Sequence, residues 1–506
     1  MKNPVLLIVI SITFLLISCE HYEKNASHQQ VSSGSIGMGK KLATKYCASC
    51  HQLPDPSLAN ANSWEKGILP EMGPRLGIFN YGYEKYPSFK NDLNVDRNYY
   101  PSVPVMPLAD WQHIIDYYTA TSPDSLLPAK KATVQMNDSL FTPIQPSFGY
   151  YMPSASYVKI KHDELIMCDA FKKKMYVFNK ALQLADSSDT RSSVTDIIED
   201  SATLIFCNTG VLHPNNGKYG MIESVSKKNK STDSILFKNL RRPVYIVSAD
   251  INKDGRDDLL VCEFGNLEGA LSWLEKTDTG YVRHAIRAAP GAIRAYVNDY
   301  NHDGLPDILA LFAQGDESVF LFTNKGDSTF DTKQVLRFPP SYGSSYFELD
   351  DFNKDGYPDI VYTCGDNADY SPVLKPYHGV YIFLNDGRNN FTQSFFYPLN
   401  GCYKAIAKDF DNDGDLDLAT ISFFAEYKNH PEEGFVYLKN NGNLNFTAYS
   451  LNAAKYGRWL TMDAGDFDGD GKPDLMLGNF SLMDPIFKAA IDWKHQPPFL
   501  LLKNIQ

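Results

Sequence analysis

Five nine-residue stretches constrain this chain more than any other feature. They read DINKDGRDD at 250–258, DYNHDGLPD at 299–307, DFNKDGYPD at 351–359, DFDNDGDLD at 409–417 and DFDGDGKPD at 466–474. Their starts lie 49, 52, 58 and 57 residues apart. A recurrence in this range is the mark of a repeat architecture such as a propeller. The residues after each stretch are strand formers (LLV, ILA, IVY, LAT, LML), so each stretch joins two strands and not two helices. A later strand follows in every unit, as LSWLEK, VFLFTNKG, VYIFLNDG, FVYLKNNG or FLLLKN. A polar turn and a further strand come next. Four strands per unit of about 50 residues make a propeller blade.

Each stretch sets oxygen-bearing side chains at positions 1, 3, 5 and 9 and a Gly at position 6. Hard oxygen ligands alternating around a sharp glycine turn are a calcium pattern. The expected ligands are Asp250, Asn252, Asp254 and Asp258 in the first loop, and Asp299, Asn301, Asp303 and Asp307 in the second. Asp351, Asn353, Asp355 and Asp359 follow, then Asp409, Asp411, Asp413 and Asp417, then Asp466, Asp468, Asp470 and Asp474. An EF-hand also needs Glu at position 12. That position holds Val261, Ala310, Tyr362, Thr420 or Leu477. The expected role of Ca2+ is therefore to stiffen turns. These units resemble the FG-GAP/VCBS repeats of calcium-bearing propellers.

Two further units lack the acidic loop, one from Tyr157 to Asn179 and one from Val194 to Gly210. With the five complete repeats they give seven blades over 129–506. The last unit ends one strand short, at FLLLKNIQ. Asp138 to Pro143 resembles the outer-strand segment Gly442 to Thr447, so 134–145 is expected to close the ring and cover an exposed edge.

Upstream of the propeller lies Cys47-Ala48-Ser49-Cys50-His51. C-x-x-C-H is a haem-attachment signature, with two thiols for the vinyl groups and His51 as the proximal iron ligand. A zinc ribbon needs a second CxxC, and the chain has none. Helical patterns flank the motif, at Ile36 to Tyr46 and at Trp111, Ile114, Ile115 and Tyr118. With the Pro/Gly-rich stretch between them, residues 36–128 resemble a small class I cytochrome c domain. Two methionines are candidates for the sixth ligand. Met72 lies in the L-P-x-M-G-x-R-L-G stretch, which resembles haem domains fused to repeat proteins; Met106 precedes the closing helix in Val-Met-Pro. Met72 is the expected ligand, with Met106 as the alternative. Met38 and His113 are weaker options.

The first residues read as an export signal: Lys2, an apolar run from Val5 to Ile17, then Leu16-Ile17-Ser18-Cys19. The run is too short to span a bilayer. The stretch resembles a bacterial lipobox. That implies a signal peptide over 1–18, lipidation of Cys19, a polar tether over 19–35, and a chain held on the periplasmic side or surface of a bacterial membrane. Five other cysteines, Cys168, Cys207, Cys262, Cys364 and Cys402, have no CxxC spacing and read as buried thiols. The net charge of −12 gives no basic face for nucleic acid.

The expected architecture is thus multidomain: a small all-α cytochrome c domain followed by an all-β seven-bladed propeller. The expected function is electron transfer through one haem c, with a redox protein or a quinone at the membrane as partner. A haem-linked dehydrogenase and a surface adhesion module are the alternatives. Insertions between the second and third strands of the blades fall on one face. Arg294, Arg458, Lys375 and His378 are candidates to line that face near the axis, and solvated loops are the plainer reading.

Overall fold

The computed structural model describes residues 22–131, 133–228, 232–368, 371–483 and 491–506. The lipidation candidate Cys19 and the segment 1–18 lie outside the described residues. Seven antiparallel sheets form a ring of seven blades. Blade one runs from Ala155–Lys161 to Leu184–Asp189, and blade two from Ser193–Glu199 to Thr232–Leu240. Blades three to five begin at Pro243–Ala249, Ala292–Asn298 and Ser344–Asp350. Blades six and seven begin at Cys402–Lys408 and Trp459–Gly465. In each blade the first strand is innermost.

The second strands explain why the apolar runs look continuous and not alternating. Asp258–Glu263, Asp307–Phe312, Asp359–Cys364, Asp417–Ser422 and Asp474–Asn479 are buried at every position. Both faces of such a strand are covered, here by the neighbouring blades, so neither can be polar. The cores accordingly sit between blades. One joins Ile406 and Phe410 of blade six to Met462, Leu475 and Leu500 of blade seven. Another joins Leu260, Cys262 and Trp273 of blade three to Ala295 and Phe312 of blade four. The five remaining cysteines are all free and buried in these cores.

The ring closes through an upstream segment. Phe141–Ile144 pairs antiparallel with the last strand, Phe499–Asn504, as the fourth strand of blade seven. Phe141 is fully buried and meets Phe410, Phe435 and Tyr437 edge-on. Gln135–Met136 adds a short parallel pairing to the outer strand of blade six.

Residues 22–128 form a separate helical unit. Its first long helix, Ser33–Tyr46, is capped by the Ser32 side chain, which accepts from the Ser35 N–H at 3.1 Å. The closing helix is Leu108–Thr121. The two cross where a side chain is forbidden: a Cβ on Gly39 would lie 1.9 Å from the His113 carbonyl oxygen. Around this crossing pack Ile36, Trp64, Leu69, Met106, Trp111 and Ile114. No described helix is long and apolar enough to cross a membrane.

Candidate functional site

The acidic stretches fall between the first and second strand of blades three to seven, and all five share one geometry. The position-1 carboxylate accepts from the N–H of positions 5 and 6. For Asp250 these are Asp254 and Gly255, both at 3.0 Å; for Asp409 they are Asp413 at 3.1 Å and Gly414 at 2.9 Å. The glycine is required by the backbone and not by space. Its φ lies between +84° and +93° in all five loops, while a Cβ there would meet nothing within 4 Å. In the last two loops the carboxylates of Asp409, Asp411 and Asp417, and those of Asp466, Asp468 and Asp474, bring oxygens within 4.8 Å of one another. Lys439 reaches Asp411, and Lys503 reaches Asp468. In the first three loops position 3 is an Asn that donates to the position-5 carboxylate, as Asn301 does to Asp303 at 2.8 Å.

Position 9 has a second duty that sequence spacing did not disclose. Asp258, Asp307, Asp359, Asp417 and Asp474 are fully buried at the start of the second strand. Each accepts from the position-2 N–H and from an N–H at the end of the third strand. For Asp307 these donors are Tyr300 at 3.1 Å and Asn324 at 2.8 Å; for Asp474 they are Phe467 at 3.0 Å and Asn504 at 2.8 Å. In blades four and seven the Asn ending the third strand also ties blades together. Asn324 donates to the Ile251 carbonyl of blade three at 2.9 Å, and Asn504 to the Phe410 carbonyl of blade six at 2.6 Å. The signal for this was present, as the N of TNKG, LNDG, KNNG and KN.

The CxxCH segment lies directly after the first helix, with Cys47 as its C-cap. Cys47 and Cys50 are free thiols; burial pushes Cys47 up to about 12, while Cys50 is exposed. The His51 ring is half-buried, and its Nδ1 pairs with the Gln52 carbonyl at 2.8 Å. That contact assigns the proton to Nδ1 and leaves the Nε2 lone pair free for a metal. Burial lowers the His51 pKa, and Asp316, Arg337 and Arg75 are close enough to act on it. Met72 ends the short helix Leu69–Met72, and Arg75 lies on the 3-10 turn Gly73–Leu76 that follows it. Met72 is half-buried at the edge of the helical core, whereas Met106 lies inside it. Met38 is exposed, and His113 pairs through Nδ1 with Ser35 Oγ at 2.6 Å.

The helical unit sits on the face of the ring opposite the acidic loops. Tyr377 donates through its hydroxyl to the Leu58 carbonyl at 2.8 Å, and Asn216 donates to Asp92 at 2.9 Å. Arg241 reaches the Asn94 carbonyl at 3.2 Å, and Leu267 packs with Val95 and Tyr100. These propeller residues belong to loops between second and third strands or between blades. Of the four face candidates, Arg458, Lys375 and His378 are buried structural residues. Arg458 donates to the Phe423 carbonyl at 3.0 Å and stacks on the Phe423 ring. Only Arg294, on the inner strand of blade four, opens into the axial cavity.

Residues 250–310, 299–362 and 421–477 match a family model described as FG-GAP-like repeat. A search of curated protein sequences returns no match. Among solved structures, the chain is similar to the N-terminal domain of Nup159 at 11% identity, covering 74% of this chain and 98% of that one, with a TM-score of 0.41. It is similar to BBS1N, solved in complex with ARL6DN, at 11% identity, 73% and 97% coverage and a TM-score of 0.43. A third is dihydro-heme d1 dehydrogenase NirN in complex with DHE, at 12% identity, 88% and 82% coverage and a TM-score of 0.39. At these scores the likeness extends to no site. The fold defines the class, a seven-bladed β-propeller. Within that class, its acidic-loop blades are FG-GAP-like repeats.

Proposed function

We propose that this chain is an exported, lipid-anchored c-type cytochrome whose calcium-stiffened propeller serves as a docking scaffold. The observation that carries the reading is the CxxCH geometry. Two free thiols follow the first helix, and His51 spends its Nδ1 on the Gln52 carbonyl. Cys47 and Cys50 would hold the porphyrin, and His51 and Met72 would hold the iron. Bound there, haem c supplies one-electron transfer at a potential set by its axial ligands and surroundings. The chain's own residues fix the imidazole tautomer through Gln52, and charged Asp316, Arg337 and Arg75 act on the His51 ring. The partner is a redox protein or a quinone at the membrane that Cys19 would anchor.

The same reading assigns Ca2+ to the five acidic loops, held by positions 1, 3, 5 and 9. What supports this is the convergence of the Asp409 and Asp466 loop oxygens. Expression with a haem c maturation system tests the central claim. Denaturing gels should show one covalently bound haem, lost in C47S and C50S. A chain that matures no covalent haem sinks the reading.

A further inference from the structure

The seven inner strands enclose an axial cavity of about 670 Å³, which opens among Leu212, Arg242 and Gln314 on the face carrying the helical unit. That volume is in the range of small-molecule sites. Five cationic side chains line it, Lys159, Arg242, Arg294, Lys404 and Lys408, and two of these share one ring. Arg294 is packed among three tyrosine rings, with its Cζ 4.7 Å from the Tyr245 centroid, 5.1 Å from Tyr296 and 4.6 Å from Tyr346. Its Nε donates to the Tyr296 hydroxyl at 2.8 Å, which fixes the guanidinium plane. Lys404, from blade six, lies 4.9 Å from the same Tyr346 ring and donates to the Met462 carbonyl at 2.7 Å.

Among the described residues, neither cation has a carboxylate within salt-bridge reach. Asp196, Glu348 and Asp463 act on Lys404 only from beyond contact, and each has a nearer partner. Asp463 pairs with Lys159 at 3.4 Å and accepts from the Ile160 N–H at 2.8 Å. Asp196 accepts from the Ile246 N–H at 3.1 Å, and Glu348 accepts from the Tyr346 hydroxyl at 3.2 Å. Burial, and then the charge of Arg294, push Lys404 down to about 8. Two like charges sharing one aromatic ring in a desolvated site are costly without a counter-ion. The rings supply only part of what an anion would. The terminal N–H groups of a guanidinium pinned at Nε form the fork that carboxylate and phosphate groups accept bidentately.

We propose that the axial cavity binds a small molecule bearing an oxyanion, carboxylate or phosphate, clamped between Arg294 and Lys404. Binding of the anion is independent of the haem reading, and its test reads the propeller alone. The probes are inorganic phosphate and gluconate, with glucose as the uncharged control, titrated calorimetrically into the full-length chain. At least one anion should bind saturably with Kd at or below about 1 mM, and glucose should not. R294Q and K404Q should each weaken that binding about tenfold or more. Gluconate alone binding points to a carboxylate ligand; phosphate binding as well points to an oxyanion site indifferent to its source.

Should both variants fail to fold, the wild-type chain still decides. Lys404 has an amine with a lowered pKa and should be acylated selectively. Phosphate or gluconate should slow that acylation several-fold, read by peptide mass spectrometry. Absence of binding by both anions, equal binding to R294Q and K404Q, or acylation of Lys404 indifferent to both anions would overturn the proposal.

Discussion

Two methionines can be separated by what each touches. Met106 is 4% exposed inside the helical core, so truncation leaves a cavity. M106A should cost about 2–5 kcal/mol of stability in the helical unit. Met72 is half-buried at the end of the short helix Leu69–Met72. M72A should cost much less stability but abolish the weak long-wavelength thioether-to-iron band of the oxidised haem. The opposite pattern, a band lost in M106A and kept in M72A, makes Met106 the ligand. A second residue-scale prediction concerns Glu317, buried in blade four, where it accepts from the Ser344 N–H at 2.8 Å and hydroxyl at 2.6 Å. Burial pushes its pKa from 4.5 up to about 8. The folded state then holds this proton more tightly than the unfolded chain. The group's contribution is best below its unfolded pKa and is lost as pH rises toward 8, by at most about 1.4 kcal/mol per pH unit. E317Q keeps an acceptor for Ser344 and cannot ionise. Urea midpoints at pH 5 and pH 8 should therefore diverge more in the wild type than in E317Q, and equal differences would remove Glu317 from the account.

Elements made the fold legible, because blades are local. An acidic turn, an apolar second strand and, in four of the five, a third strand ending in Asn fall within about 40 residues, so five blades announce themselves. Blades one and two lack the acidic turn. Blade one turns instead through a short hairpin with Asp163 at φ +58°, and its apolar strands alone mark it. The duty of position 9 was hidden for a physical reason. An Asp that ligates and an Asp that accepts backbone N–H groups look alike in sequence, and only the register of the third strand tells them apart. Arg294 and Lys404 were harder still. They come from blades four and six, and only the packing of both against blade five brings them to one tyrosine. Closure itself hangs on one short strand. F141A should cost about 3–5 kcal/mol, because the buried ring fills a gap among three aromatics. Deleting 134–145 should lower the melting temperature by many degrees and expose the edge of Phe499–Asn504. A deletion variant that melts like the wild type would mean the ring does not depend on this strand.

The whole molecule separates two chemistries onto opposite faces. The acidic loops occupy the turns between first and second strands. The helical unit rests on the loops between second and third strands, through Tyr377, Asn216 and Leu267. Each loop is tied to its own blade by the buried position-9 carboxylate, so an ion there acts on the blade edge and not across the ring. In the loops of blades six and seven, Lys439 pairs with Asp411 and Asp413, and Lys503 with Asp468. Calcium must displace these contacts, whereas the loops at Asp250, Asp299 and Asp351 have an amide at position 3 and less charge to neutralise. Removing calcium with a chelator should lower the melting temperature by several degrees, since a ligand bound only by the folded state stabilises it in proportion to RT ln(1 + [L]/Kd). The haem spectrum and potential should not follow, because His51 and its neighbours Arg75, Asp316 and Arg337 lie on the other face. K439M should raise the apparent calcium affinity of the chain by freeing Asp411, and K503M should do so through Asp468, while a D417N or D474N variant should lose stability with calcium present or absent. A chelator that shifts the haem potential as strongly as the melting temperature would show that the two faces are coupled through the blades, and would make calcium a regulator of electron transfer and not a stiffener of turns.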